Sequence, residues 1–181
     1  MFLRRLAIIL CVLAVGIAVY DIKYANDFAA RFIPVQANTT LPPLSFEDGQ
    51  HKTVTLHDFA GRYVLLNLWA TWCGPCVREM PALDKLATLF DPQKLTIIAL
   101  NENSKGFDAA TKFYQEHGLH NLGVYTDPAG HTPASLNVKG LPTTILINTR
   151  GEEVGRWQGT IAWDSPKAVE FITHVINPPA R

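Results

Sequence analysis

The first apolar stretch of the chain has no polar face. Leu6 to Tyr20 is almost uninterrupted hydrophobic sequence behind Arg4 and Arg5. No polar positions recur at helical spacing, so the stretch does not read as a buried core helix of a soluble domain. About 15 apolar residues is short for a spanning helix and long for a signal-peptide core. In either case the two arginines hold the N-terminus in the cytoplasm and send the rest of the chain across a membrane. No small-x-small cleavage site follows directly, and Tyr20 and Tyr24 suit the outer interface. The preferred reading is therefore an uncleaved anchor over residues 1–22, with a cleaved signal as the alternative.

The mixed pattern after it reads as a linker, residues 23–38, and a folded domain is expected over 39–177 with a short tail at 178–181. Inside the domain the periodicity changes repeatedly. Leu44-Ser-Phe46 and Thr53-Val-Thr-Leu56 flank an Asp-Gly pair, which predicts a β-hairpin. Tyr63 to Trp69 is continuously apolar apart from Asn67, as in a central strand buried on both faces. Helical spacing follows from Val77 to Phe90, then a second buried strand over Leu95–Leu100. Strand, helix and strand in some forty residues predict a βαβ unit with parallel strands. Asp108–His117 reads as an amphipathic helix stopped by Gly118. Gly123–Tyr125 reads as a short strand and Thr132–Leu136 as a short helix. Thr143–Asn148 and Glu153–Gln158 form a second predicted hairpin around Thr149-Arg-Gly151. A last helix begins at Ser165-Pro, a cap followed by a first-turn proline, and ends before Asn177-Pro-Pro. A βαβ half joined to a ββα half is the order of a thioredoxin fold: a central mixed sheet flanked by helices, with an N-terminal hairpin and an inserted α/β segment.

Charge and composition exclude more than they assign. Lys plus Arg and Asp plus Glu number 16 each, so the formal net charge is zero, and no basic run exists beyond Arg4-Arg5. That argues against nucleic acid as a partner. Three cysteines are too few for a disulfide-stapled domain, and Cys11 lies in the apolar N-terminal run. Chemistry is therefore expected at Cys73 and Cys76. A structural disulfide between them would close too small a loop to stabilise much. A zinc site would need a second pair or clustered histidines, and the six histidines are scattered.

A Cys-x-x-Cys where a strand hands over to a helix points to thiol exchange. The free N–H groups and positive dipole end of the first turn favour a thiolate, so Cys73, at an exposed end, is the candidate nucleophile. Cys76 lies one turn deeper on the same face and can resolve the mixed disulfide.

The segment Leu66-Asn-Leu-Trp-Ala-Thr-Trp-Cys-Gly-Pro-Cys-Val-Arg-Glu-Met-Pro81, with the hairpin before it and Gly140-Leu-Pro-Thr143 after it, resembles the thioredoxins, specifically the membrane-anchored TlpA/ResA-like branch. The resemblance spans about Leu41 to Ile176. It implies a thiol–disulfide oxidoreductase whose only redox group is the Cys73–Cys76 pair, without metal or other cofactor. It also implies a cis Pro142 facing the pair, and Leu141 backbone groups that hydrogen-bond a substrate strand. Trp72, Gly74 and Pro75 are expected on the docking face, and Trp69 in the core. Thioredoxins place an Asp where this chain has Asn67, and the anchored branch commonly pairs that Asn with an acid three residues after the second cysteine. Here that acid is Glu79, which is expected to assist proton transfer at Cys76, the bland alternative being a solvated helix glutamate. Asp84 and Asp127 read as solvated, and Trp157 and Trp163 as packing.

The family further implies client protein disulfides as partners, among them apocytochrome c or copper-site proteins, and a transmembrane thiol electron donor. The expected location is the cytoplasmic membrane with the domain in the periplasm or other extracytoplasmic space. A general disulfide oxidase or isomerase is the alternative. A redox-inert binding or metallochaperone module is another, and it would tolerate serine at both cysteines. No Pro-x-x-x-Thr-x-x-Cys arrangement supports a peroxidase.

Overall fold

The computed structural model describes residues 28, 30–35, 39–103 and 106–177. The expected anchor at 1–22 lies outside them. Among the described residues, no helix is long and apolar enough to cross a membrane.

Among the described residues, eight strands form one mixed sheet in the order β1-β8-β7-β4-β5-β6-β2-β3. They are β1 (Phe32–Pro34), β2 (Ser45–Glu47), β3 (Thr53–Thr55), β4 (Tyr63–Trp69), β5 (Leu95–Asn101), β6 (Tyr125–Thr126), β7 (Thr143–Ile147) and β8 (Glu153–Gln158). The helices are α1 (Gly74–Ala87), α2 (Gly106–His117), α3 (Thr132–Ser135) and α4 (Pro166–Ile176), with a 3-10 turn at Leu56–Phe59. β4 pairs in parallel with β5 and antiparallel with β7, which places the strand before the cysteines in the middle of the sheet.

Side chains alternate across β4. Leu65 and Trp69 enter one cluster with α1, α2 and α4, whereas Val64, Leu66 and Leu68 enter a second with the β2–β3 hairpin. The hairpin extends the sheet through the single pairing Glu47–Thr126. Its left-handed residue is His51 (φ 59°), not Gly49, because the loop is longer than the two-residue turn that Asp-Gly favours. Ser165 caps α4 as expected, its hydroxyl accepting from the Ala168 N–H at 3.3 Å.

Two expectations need correction. The linker reading of 23–38 is too generous, because Phe32–Pro34 pairs antiparallel with β8 and Phe28 is buried in the core. Three strand residues with an isolated aromatic on either side of Ala30 carry too little periodicity to be seen in sequence. Their place depends on Gly155 of β8, where an added Cβ would lie 2.4 Å from Phe32 Cζ and 2.7 Å from the Ile33 carbonyl oxygen. Asp84 and Asp127 are not solvated either. Asp84 accepts from the backbone N–H groups of Asn121 (2.8 Å) and Leu122 (3.2 Å). Asp127 accepts from Ala129, Gly130 and Thr132 at 3.1, 2.9 and 2.7 Å. Backbone donors replace the water each carboxylate loses, so both can be buried as turn-makers.

Candidate active site

β4 ends at Trp69 and the chain turns at once: the Cys73 N–H donates to the Ala70 carbonyl at 3.0 Å. Cys73 is the N-cap of α1, and its carbonyl accepts from Val77 N–H at 3.0 Å, which opens the helix. Pro75 falls in the first turn, where a missing N–H costs nothing. Cys73 and Cys76 are joined as a disulfide, and the Cys76 N–H points at Cys73 Sγ at 3.3 Å. In this oxidised form Cys73 is less exposed than expected. It keeps 5% of its surface and Cys76 none. The exposed rim is made by Trp72, at 70%, and by Gly74 and Pro75.

Pro142 is buried behind a cis Leu141–Pro142 peptide, and Leu141 packs against the cluster that holds both cysteines. The Pro142 carbonyl accepts from Gly159 N–H at 2.8 Å, so the loop after β8 braces the proline loop. The same loop reaches α1: Thr160 Oγ1 donates to the Pro75 carbonyl at 3.3 Å.

Glu79 is buried, at 1% exposure, and is no solvated helix glutamate. It lies one turn beyond Cys76 on the inner face of α1. Its Oε1 accepts from Asn67 Nδ2 at 2.8 Å, and its Oε2 from the Ile161 N–H at 2.9 Å. Asn67 also donates to Thr144 Oγ1 at 2.9 Å, from the facing position on β7. Burial pushes the Glu79 carboxyl up to about 7, against the opposing pull of the Ile161 N–H and the Asn67 amide. The buried Trp163 indole N–H stays outside hydrogen-bonding geometry but also favours the charged form.

A further acid escaped the sequence reading. Glu102 follows β5, and its N–H donates to the Trp69 carbonyl at 2.8 Å, beside the redox turn. Both carboxylate oxygens are buried and have no hydrogen-bond partner among the described residues, and burial together with the Asp127 charge pushes the group up to about 8. Nothing in Asn101-Glu-Asn103 marks it locally. The neighbouring Asn103 amide donates to Thr71 Oγ1 at 2.6 Å.

From Trp72 a groove of about 950 Å³ runs between α1 and the inserted α2, lined by Val77, Asp108, Lys112, Phe113 and His117. A cavity of about 530 Å³ lies at the opposite end of β4, among Leu41, Leu44, Leu56, Phe59, Arg62 and Arg150, away from the cysteines.

A redox pair capping a helix, a cis-proline loop beside it and a mixed sheet beneath it define a thioredoxin-fold thiol–disulfide oxidoreductase. Comparison with known proteins agrees: the Redoxin family model matches residues 36–170, and the chain belongs to that family. The chain is 32% identical over 178 residues to the thiol-disulfide oxidoreductase ResA of Halalkalibacterium halodurans, covering 98% of each protein. It is 29% identical over 161 residues to ResA of Bacillus subtilis, covering 89% of this chain and 86% of that one. Among solved structures, one described as a thiol:disulfide interchange protein DsbE from Chlorobium tepidum superposes with a TM-score of 0.69 at 26% identity, covering 79% of this chain and 99% of the other.

Proposed function

We propose that the chain is a reductant of specific client protein disulfides, held by its N-terminal segment on the extracytoplasmic side of a membrane. The observation that carries the chemistry is the Cys73–Cys76 pair set on the first turn of α1 with the buried Glu79 one turn behind. In the reduced protein, the Cys73 thiolate, favoured by the helix N-terminus, attacks a client disulfide. A Cys73–client bond forms and one client sulfur leaves as thiolate. Cys76 then gives its proton to the Glu79 carboxylate and attacks Cys73 Sγ, releasing the second client thiolate. Two electrons have passed to the client, and Glu79 returns its proton to the released thiolate or to water.

The location rests on the apolar run behind Arg4-Arg5, and the clients on the TlpA/ResA-like resemblance. Apocytochrome c cysteines lead among those clients, with copper-site cysteines second. A transmembrane thiol donor supplies the electrons that each turnover consumes. No metal or cofactor beyond the cysteine pair enters this scheme.

Direction is tested by equilibrating the full chain with graded thiol–disulfide buffers. A potential near about −270 mV is expected for a reductant, and a value above about −180 mV would make the protein an oxidase or isomerase instead.

The proton role is tested by Glu79→Gln. We expect thiol–disulfide exchange to slow about a hundred-fold, with loss of the inflection near pH 7. Unchanged rates and profile would remove Glu79 from the scheme. The same variant should gain stability at pH 8. The unfolded chain loses this proton near the usual 4.5 and the folded chain only near 7, so wild-type stability falls across that interval and stays lowered above it.

A further inference from the structure

The Glu79 side chain is held by a loop that is itself held from outside the thioredoxin core. Gly159, Thr160 and Ile161 each make one bond toward the site: to the Pro142 carbonyl, to the Pro75 carbonyl and to the Glu79 carboxylate. Three successive residues thus align the proline loop, the first turn of α1 and the buried acid. Gly159 is left-handed, at φ 80°, so the loop is a sharp turn and not a continuation of β8.

The outer support is Arg31, from the segment just before β1. Its Nη1 donates to the Thr160 carbonyl at 2.8 Å, and the same nitrogen lies 3.7 Å from where a Cβ on Gly159 would sit. The guanidinium therefore lies across the turn and holds the peptide between Thr160 and Ile161 by its oxygen. The N–H on the opposite edge of that planar peptide is the one that binds Glu79 Oε2. Because a peptide is planar, fixing its oxygen fixes the direction of its N–H. β1 anchors Arg31 in turn, through its pairing with β8 and the packing of Phe32 on Trp157, with ring centroids 4.6 Å apart.

We infer that Arg31 is a positioning residue of the redox site: by holding the Thr160 carbonyl it aims the Ile161 N–H at Glu79, so the approach segment sets how readily this acid gives up its proton. The inference rests on Glu79 taking part in exchange, but its test reads Glu79 directly. The groups facing that carboxyl are the Asn67 amide on β4, with Thr144 of β7 behind it, the Ile161 N–H, the Trp163 indole and Cys76 on its own helix. In the oxidised protein the cysteines do not titrate, so Glu79 is read without them.

The experiment follows the Glu79 carboxyl carbon by NMR against pH in the oxidised full chain, comparing wild type, Arg31→Met and Arg31→Lys. Methionine keeps the apolar stem and loses the donors, and lysine keeps a donor. Losing a hydrogen bond to the charged form should move the Arg31→Met midpoint upward by about half a unit to one unit. Arg31→Lys should restore most of that shift. Ile161→Pro, which deletes the N–H itself, sets the largest shift available. A folded Arg31→Met protein with the wild-type midpoint would overturn the inference, as would a lysine variant that behaves like methionine. If Arg31→Met does not fold, Arg31→Leu, which also lacks a donor, carries the same expectation. A shifted midpoint alongside an inert Glu79→Gln would leave the positioning intact and refute the proton role instead.

Discussion

Replacing Cys73 with Ser is expected to lower exchange with any disulfide by a thousand-fold or more, whereas replacing Cys76 with Ser should leave the first attack and trap the client as a mixed disulfide. The asymmetry follows from the two positions. Cys73 is the N-cap of α1 beside the exposed Trp72 and keeps 5% of its surface where Cys76 keeps none, so its sulfur is the one an incoming disulfide meets first. Cys76 is fully buried and can attack only the sulfur of Cys73. The nucleophile is the thiolate, and serine at neutral pH supplies no equivalent. Mass spectrometry of Cys76→Ser with a disulfide-bonded peptide would show the adduct, and Cys73→Ser would not. If the adduct formed on Cys76 instead, the order of attack assigned here would be reversed. If both serine variants kept full activity in cells, the redox-inert binding module would replace the oxidoreductase as the account of function.

Trp157→Ala should cost about 3–5 kcal/mol, among the largest losses any single truncation can produce in this domain. Trp157 is fully buried on β8 and touches rings from three separate parts of the chain. Its centroid lies 5.1 Å from that of Phe28, 5.2 Å from Trp163 and 5.6 Å from Phe171, and its indole N–H donates to the Phe28 carbonyl at 3.1 Å. Alanine would leave a cavity bounded by aromatic faces that cannot collapse together, and a buried carbonyl without its donor. In urea the unfolding midpoint should fall in proportion, and in a thermal scan by roughly 10 °C. A loss below about 1 kcal/mol would mean that the N-terminal strand is not part of the cooperative unit. The same packing bears on any shortened form. A chain cut at residue 40 would lack Phe28, Phe32 and Arg31 together, and so would lose both the aromatic cluster and the brace on the redox loop.

Much of the architecture was legible because the dominant signals are local. Tyr63–Trp69 is apolar on both faces, and the structure places it at the centre of the sheet. The helix after the cysteines, the β7–β8 hairpin and the Ser165 cap depend on spacing, turn chemistry and capping, all set by neighbours in sequence. Cys73 and Cys76 were legible for the same reason: a helix N-terminus and a three-residue offset bring them together without help from the rest of the fold.

What the sequence did not reveal depends on partners far along the chain. β1 is three residues long, and its place comes from Gly155 and a ring cluster more than a hundred residues away. Asp84 and Asp127 looked like ordinary surface acids until loops brought backbone donors to them. The Glu102 carboxylate is buried only in the fold, where Asp127, twenty-five residues on, comes near it. Glu79 could be placed on the face of Cys76 from its spacing alone. Its burial, its Asn67 partner twelve residues back and its Ile161 partner beyond β8 could not. The reaction class was readable from the chain alone, because a thiol pair on a helix N-terminus is a local device. Tertiary structure decided how the proton near that pair is held, because a carboxyl's pKa is set by desolvation and by donors that only the folded chain assembles.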